Sequence, residues 1–204
     1  MDTRIGFGFD SHEFKPGVPL RIGGMTIDHP EGLAGHSDGD VLLHAVTDAL
    51  LGAVAAGDIG SFFPPGDPRW KDADSAIFLK LALEELQHAG YRIANVDTTL
   101  ILVAPKIAPI AGEMRARIAD LLGVEIDQVS VKAKTPEGLN LDHVAQCHAV
   151  ALVERTAEPD DLKSMSAVIE SERQIEDVVD DLLSSVHGTQ KKRPAPVYDT
   201  EDIT

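Results

Sequence analysis

The sequence predicts an α+β fold in which helices pack on one face of a small mixed sheet. Segments with the alternating polarity of strands are interleaved with segments of helical periodicity, in the order strand, hairpin, helix, helix, strand, helix, strand, strand. Hydrophobic residues make up 43% of the 204 residues, which is enough for a buried core. This order favours an α+β or mixed α/β sandwich.

The first predicted strand covers residues 5–9. Because successive side chains of a strand point to opposite faces, Gly6 and Gly8 share one face and the apolar odd-numbered residues share the other. Two glycines at alternate positions indicate that another backbone or a ligand comes close to that face. Asp10 and His12 follow directly and would also point to one side.

A helix that is apolar almost all round is predicted from Val41 onward, so it should be buried. Ser37 and Asp40 have the spacing of a capping box, with Ser37 as the N-cap. His44 and Asp48 lie one turn apart on this helix. As polar groups on a buried helix they need partners, and Asp48 is expected to accept a hydrogen bond from His44.

The remaining elements follow from turn residues and periodicity. They are a hairpin of residues 20–22 and 25–27 around Gly23-Gly24, a helix stop at Gly57, a loop at 61–74, a helix at 75–89, a strand at 91–103, a helix carried by Ile110, Met114, Ile118 and Leu121, and strands at 129–134 and 144–155.

Composition excludes several classes of function. A formal net charge of −16 argues against nucleic-acid binding, which needs clustered Lys and Arg, although a small phosphorylated ligand needs only local positive charge. The single cysteine, Cys147, excludes an intramolecular disulfide and fits a reducing compartment. Without a signal peptide, a transit peptide or an apolar run long enough for a bilayer, the chain is expected to be cytoplasmic and away from membranes.

The character of the sequence changes near residue 156. We predict one domain at 1–156 and an acidic C-terminal tail at 157–204 that is partly helical or disordered. The domain should be complete without the tail.

Three residues could form a metal site. Asp10 and His12 on the strand, with His44 on the helix, offer one carboxylate and two imidazoles, a set that suits a catalytic zinc ion with one open position. Each part also has an ordinary interpretation, as surface polarity on a strand or a satisfied histidine in the core. Spacing alone leaves both interpretations open.

Four other segments could bind phosphate or could be ordinary caps and turns. Residues 36–40 are either a helix cap or a cradle at a helix N-terminus. Residues 58–60 are a helix stop or part of that cradle, and 104–106 are a turn or a lysine beside a helix N-terminus. Lys134 and Thr135 stand at a predicted strand end, where sheets often bind ligands.

Taken together, these segments resemble one family, the 2-C-methyl-D-erythritol 2,4-cyclodiphosphate synthases of the non-mevalonate isoprenoid pathway. The resemblance covers residues 1 to about 156. It rests on the stretches RIGFGFDSHEF (4–14), GHSDGDVLLHAVTDALLGAVAAGDIGSFFP (35–64), NVDTTLILVAPKIAP (95–109) and VKAKTPEGL (131–139).

The resemblance implies a metal-dependent phosphorus-oxygen lyase. Such a lyase converts 4-diphosphocytidyl-2-C-methyl-D-erythritol 2-phosphate to the cyclic diphosphate and CMP. It implies a homotrimer with active sites between subunits. Zn²⁺, or another divalent transition metal, would occupy the protein site, and Mg²⁺ or Mn²⁺ would bridge the substrate diphosphate.

The family's functional residues match positions of this chain. The implied metal ligands are Asp10, His12 and His44, and the implied catalytic pair that polarises the phosphates is His36 and Thr135. The implied substrate contacts include the metal ligands Asp10 and His12. At the methylerythritol phosphate end they are His36, Ser37, Asp58, Ile59, Gly60, Phe63, Pro64 and Asp67, and at the cytidine end, from the adjacent subunit, they are Ala104, Pro105, Lys106, Ile107, Lys134 and Glu137.

The chain departs from the family pattern at a few positions. Pro65-Gly66 replaces an acidic residue and Thr, and Leu141 and Val144 replace a Phe and an Arg. Without that Arg, we do not expect an isoprenoid diphosphate in the central cavity. Two alternatives stay open: a metal-dependent phosphohydrolase with water as nucleophile, and a catalytically silent nucleotide-binding or scaffold trimer.

Overall fold

The computed structural model describes residues 2–64 and 66–156. Its elements are, in chain order, β1 (Thr3–Pro16), β2 (Leu20–Ile22), β3 (Met25–Ile27), β4 (Glu31–Leu33), α1 (Val41–Ala53), α2 (Ile59–Phe62), a 3-10 turn (Pro68–Trp70), α3 (Ser75–His88), β5 (Tyr91–Ile101), α4 (Ala111–Leu122), a second 3-10 turn (Ile126–Gln128), β6 (Val129–Lys134) and β7 (Val144–Arg155). The predicted tail at 157–204 lies outside the described residues.

A five-stranded sheet organises the described part of the chain, with strand order β4-β1-β7-β5-β6. The pairs β4-β1, β1-β7 and β7-β5 are antiparallel, whereas β5 and β6 run parallel, with α4 between them in the sequence. Strands β2 and β3 form a separate hairpin. The predicted mixed sheet and α+β class are confirmed.

One face of the sheet is buried under helices. Along β7 every second residue from Ala145 to Val153 is buried, and α1 packs against β1 and β7. The glycines predicted to allow a close approach do so. A Cβ added to Gly6 would lie 1.7 Å from the carbonyl oxygen of Ala49, and one on Gly8 would lie 1.9 Å from that of Ala45. The backbone of α1 therefore rests directly on β1.

The opposite face of the sheet is exposed and apolar. We call it the outer face and define it by Ile5, Phe7, Phe9, His148 and Val150. The exposed fractions of Ile5 and Phe7 are 71% and 60%. Phe7 pairs directly with Val150, and the ring centroid of Phe9 lies 4.9 Å from that of His148. Contiguous apolar patches of this kind are typical of interaction surfaces.

The start and end of α1 differ from the prediction. Asp40 itself is the N-cap, since its carboxylate accepts hydrogen bonds from the backbone N–H groups of Leu42 and Leu43. The capping box with Ser37 as N-cap is therefore wrong. The helix ends at Ala53 rather than at Gly57, and Ala55 adopts a left-handed conformation with φ of 59°.

The other predicted elements lie close to their expected positions. Strand β1 extends seven residues beyond the predicted Phe9, strand β4 was not predicted, and the predicted loop at 61–74 contains the end of α2 and a 3-10 turn. Within the described residues, no helix has both the length and the apolar character needed to cross a membrane.

Candidate active site

Asp10, His12 and His44 converge at one point. Asp10 Oδ2 lies 2.9 Å from His12 Nε2 and 2.9 Å from His44 Nδ1. The two imidazole nitrogens are 3.2 Å apart. The three residues are the one group of His, Cys, Asp and Glu side chains in residues 2–64 and 66–156 that could hold a metal ion.

The close contact between β1 and α1 brings these side chains together. Asp10 and His12 continue the alternation of Gly6 and Gly8, so all four residues face α1. The two glycines let the backbone of α1 approach β1. His44 then lies directly across from Asp10 and His12 on the strand. The distance between the two elements is thus set by backbone contact.

The ring of His12 is oriented by the main chain. His12 Nδ1 lies 2.5 Å from the carbonyl oxygen of Ala34, which can only accept a hydrogen bond. Nδ1 therefore carries the proton, and the lone pair of Nε2 faces Asp10 and His44. Ala34 is itself held by its N–H, which donates to the carbonyl oxygen of Glu13 at 2.8 Å. Metal-binding histidines are commonly fixed in this way.

Electrostatics favours a charged cluster. Burial alone would raise the pKa of the Asp10 carboxyl. When the imidazoles are protonated on both nitrogens, His12 and His44 can donate to this carboxylate, and these hydrogen bonds outweigh burial and lower the pKa well below its usual range. Burial likewise opposes the charged form of His12, yet its hydrogen bond to Asp10 leaves the pKa raised. A carboxylate and two imidazoles in this half-buried position suit a divalent cation.

The geometry fits a small tetrahedral ion. Ligands about 2.0–2.1 Å from a zinc ion are separated by about 3.3 Å from one another at tetrahedral angles. The observed separations of 2.9, 2.9 and 3.2 Å form a triangle of nearly that size. Asp10, His12 and His44 could therefore hold zinc or a similar metal with little rearrangement.

Asp48 does not contact His44 as predicted. Its carboxylate accepts a hydrogen bond from the backbone N–H of Ile59 at 2.8 Å and so ties α1 to α2. His44 Nε2 instead lies 2.8 Å from the hydroxyl of Ser75 and 3.2 Å from that of Ser37. The prediction for Asp48 is wrong, and sequence reasoning missed Ser75, which is 31 residues away on α3.

The residues at the predicted methylerythritol phosphate end lie around one loop. His36 Nε2 lies 2.9 Å from the carbonyl oxygen of Asp67, and the Asp67 carboxylate accepts from Arg69, which lowers the pKa of Asp67. Ser37 adjoins His44. His36 and Ser37 therefore lie between Asp67 and the candidate metal ligand His44.

Asp58 and Phe63 also have structural roles. The Asp58 carboxylate caps α2 by accepting from the backbone N–H and the hydroxyl of Ser61, which lowers its pKa. The ring of Phe63 is buried, 4.3 Å from Phe78 and 4.7 Å from Trp70 between ring centroids. A ligand beside this segment would meet exposed Pro64 and the backbone of Ile59 and Gly60 rather than the Phe63 ring.

The predicted cytidine-end residues gather where the parallel strands β5 and β6 end. The backbone N–H of Leu102 donates to the carbonyl oxygen of Lys134, so the turn at 104–107 lies beside the loop at 134–137. Lys106 and Lys134 are exposed, whereas Ile107 is buried. The Thr135 hydroxyl donates to the Glu137 carboxylate.

The two halves of the predicted site lie apart within one chain. Strand register forms a row from Ser11 through Gln146 and Ile101 to Lys134. Three strand spacings of about 4.8 Å place Lys134 and its neighbour Thr135 roughly 14 Å from β1. Both halves therefore lie at the same end of the sheet, but Thr135 cannot touch a phosphate bound beside Asp10 of the same chain.

Comparisons with known proteins identify a family. A model of the YgbB family matches residues 3–154. The 2-C-methyl-D-erythritol 2,4-cyclodiphosphate synthase of Koribacter versatilis is 62% identical over 152 residues, which is 74% of this chain and 98% of that protein. The enzyme of the same name from Moorella thermoacetica is 58% identical over 136 residues, covering 67% of this chain and 83% of that protein.

A solved structure is also similar. It is a 2C-methyl-D-erythritol-2,4-cyclodiphosphate synthase in a form bound to CDP, with 38% identity and a TM-score of 0.70 over 74% of this chain and 100% of that chain. The chain therefore belongs to the YgbB family of 2-C-methyl-D-erythritol 2,4-cyclodiphosphate synthases.

Proposed function

We propose that this chain is a lyase that converts 4-diphosphocytidyl-2-C-methyl-D-erythritol 2-phosphate to 2-C-methyl-D-erythritol 2,4-cyclodiphosphate and CMP. The observation that carries the proposal is the convergence of Asp10, His12 and His44 within hydrogen-bond distance of one another. The names of the relatives and the CDP bound to one of them support the substrate.

The reaction needs positioning and charge more than proton transfer. The 2-phosphate is already ionised near neutral pH, so it can attack the β-phosphorus of the diphosphate without a general base, and CMP leaves as the new P–O bond forms. The barrier arises from bringing anions together. Groups that hold the two phosphates in line and stabilise charge at phosphorus should therefore dominate.

We assign the metal to Asp10, His12 and His44. Zn²⁺, or another divalent transition metal, would supply Lewis acidity and a template for the diphosphate. Asp10 contributes the negative charge that retains the cation. Mg²⁺ or Mn²⁺ would be held mainly by substrate oxygens and water, as hard cations prefer.

The remaining residues would bind and orient the substrate. His36 and the Thr135 hydroxyl donate to phosphate oxygens, and Lys106 and Lys134 add fixed positive charge. The loop from Asp58 to Asp67 would surround the methylerythritol phosphate, and the turn from Ala104 to Ile107 with Glu137 would surround the cytidine.

We infer that the active protein is a homotrimer with each site shared between subunits. Within one subunit Thr135 lies roughly 14 Å from β1, too far to act on a phosphate bound there. A neighbouring subunit could bring its own Thr135 and Lys106 to the metal ligands. The apolar outer face supplies a surface that assembly would bury. We expect the enzyme to work in the cytoplasm.

A direct test follows the phosphorus atoms. Purified full-length protein is incubated with the cytidyl substrate, Zn²⁺ and Mg²⁺, and ³¹P NMR is recorded. We expect CMP and a cyclic diphosphate to appear in equal amounts, and we expect His44→Ala to form neither.

Other outcomes would identify the alternatives. Release of CMP or phosphate without a cyclic product would indicate a phosphohydrolase. Binding of zinc and CDP without turnover would indicate a silent nucleotide-binding or scaffold protein. Either result would overturn the proposed activity.

A further inference from the structure

Buried Ser75 and partly buried Asp38 lie behind His44, on the side away from Asp10 and His12. Ser75 is the first residue of α3 and is 0% exposed, and its hydroxyl lies 2.8 Å from His44 Nε2. The same hydroxyl is hydrogen-bonded to the carboxylate of Asp38. A chain of hydrogen bonds therefore runs from Asp38 through Ser75 to His44.

The direction of these hydrogen bonds follows from the donors and acceptors available. An ionised carboxylate can only accept, and a serine hydroxyl has a single hydrogen to donate. The Ser75 hydroxyl therefore donates to Asp38 and accepts from His44. His44 Nε2 must carry the proton, which leaves the lone pair on Nδ1, the nitrogen that faces Asp10 and His12.

The Asp38 carboxylate is itself well anchored. It accepts from the backbone N–H of Ser75 at 3.1 Å and from that of Asp40 at 3.2 Å. The guanidinium of Arg21, on the β2-β3 hairpin, lies 3.8 Å away. These donors hold the carboxylate in a single orientation.

A second hydroxyl near His44 does not fix the proton by itself. Ser37 Oγ lies 3.2 Å from Nε2, farther than Ser75, and it could either donate or accept. Only the Asp38-Ser75 pair determines which nitrogen of His44 is protonated. Without it, the proton could move to Nδ1, where it would compete with a cation.

We propose that Ser75 and Asp38 are positioning residues of the metal site, which hold His44 with Nδ1 free to bind the cation. This inference rests on the proposed function, because it presumes that a metal binds there. Neither residue touches the metal or the substrate. Residues that hydrogen-bond to a metal ligand usually change metal affinity about 10- to 100-fold when they are removed.

The test measures zinc affinity in the full-length chain by competition with a chelator. We expect Ser75→Ala to weaken zinc binding about 10- to 100-fold and to change the visible spectrum of the cobalt-substituted protein, which reports ligand geometry. Ser75→Thr keeps a hydroxyl and should restore most of the affinity. Thr98→Val is the matched control, since it removes a buried hydroxyl that donates to the carbonyl oxygen of Ser130 instead.

The outcomes separate this inference from the proposed function. If the unmodified protein does not bind zinc, the metal assignment itself fails. If it binds zinc but Ser75→Ala leaves the affinity and the cobalt spectrum unchanged, the positioning role is wrong. The role is also wrong if Thr98→Val weakens zinc binding as much as Ser75→Ala does.

A measurement on the unmodified protein covers the case in which Ser75→Ala does not fold. Long-range ¹H–¹⁵N NMR of the zinc-loaded chain shows which imidazole nitrogen carries hydrogen. We expect a proton on His44 Nε2 and the metal on Nδ1. The reverse assignment would overturn the inference.

Discussion

At the residue scale, Thr135 offers a direct probe of the reaction. Its hydroxyl donates to Glu137 and would turn to a phosphate oxygen in the proposed reaction. If that contact strengthens in the transition state, Thr135→Ala should lower kcat by about 100-fold and change KM little. Thr135→Ser keeps the hydroxyl and should stay near the parent rate. Steady-state kinetics gives kcat and KM for each variant. An unchanged kcat for Thr135→Ala would refute the role of this hydroxyl in the transition state.

Protons should compete with zinc at His12. Burial would lower the pKa of His12, but the hydrogen bond to Asp10 leaves that pKa raised. The ion pair between protonated His12 and Asp10 therefore stabilises the metal-free protein fully below the ordinary histidine pKa of about 6.5. That contribution is lost as the pH rises through the raised pKa, whereas zinc needs the neutral imidazole. The difference in Tm between zinc-loaded and zinc-free protein should therefore grow from pH 5.5 to pH 8. A constant difference would contradict this.

Local rules predicted where the three candidate metal ligands lie, but spacing left their role open, and only the family resemblance implied a metal site. Asp10 and His12 alternate on a strand, and His44 is a polar residue on an apolar helix. The partner of His44 was not predictable in the same way. Asp48 has the right spacing along α1, but Ser75 reaches Nε2 from another helix, and no local pattern indicates which helix packs there.

At the element scale, Asp40 joins two elements. Its buried carboxylate accepts from the N–H groups of Leu42 and Leu43 at the start of α1, and from those of Gly23 and Gly24 in the hairpin turn, at distances of 2.7 to 3.1 Å. Asp40→Asn would leave at least one of these groups facing an amide NH₂. We expect a loss of about 3 kcal/mol in the free energy of unfolding, measured by urea denaturation.

Asp74→Asn provides the comparison for Asp40. Asp74 is the N-cap of α3 and accepts from a single exposed N–H, that of Ala76. Asparagine caps helices about as well as aspartate, so we expect a change within about 0.5 kcal/mol. Equal effects of the two substitutions would show that burial and the number of donors do not matter at Asp40.

The contact between β1 and α1 has its own test. Gly8→Ala would place a Cβ 1.9 Å from the carbonyl oxygen of Ala45, so helix and strand must separate. We expect a loss of more than about 3 kcal/mol in the free energy of unfolding. Gly112→Ala, on α4, meets nothing within 4 Å and should stabilise the protein by up to about 1 kcal/mol. Thermal unfolding measures the stability of the two variants. Equal changes in Tm would show that the backbone contact at Gly8 does not limit packing.

The bounds of helices and strands were predicted best where the periodic pattern of apolar residues extends over many residues. The bounds of β6 and β7 agree with the prediction, and α3 differs by one residue. Strand β4 was missed because three residues, Glu31–Leu33, are too few to show alternation. The cap of α1 was misassigned because Asp40 is held by the hairpin turn, a contact that no local spacing encodes.

At the scale of the whole molecule, the outer face predicts self-association. Burial of Phe7, Phe9 and Val150 between subunits would explain why they are exposed in a single chain. Phe7→Asp should convert the protein to monomers in analytical ultracentrifugation and abolish turnover, because the shared site would be lost. Ile126→Asp changes an exposed residue on a 3-10 turn away from this face, and we expect that variant to remain trimeric. A Phe7→Asp trimer would refute the proposed interface.

The backbone contact at Gly6 and Gly8 has a kinetic consequence. Because main-chain atoms rather than the ion fix the gap between strand and helix, we expect the ligand triangle to persist without an ion, so that capture requires no rearrangement of the fold. The rate of metal uptake should then be limited by how fast the ion sheds its water. Ions that exchange water slowly, such as Ni²⁺, should load much more slowly than Zn²⁺, even where their final affinities are similar.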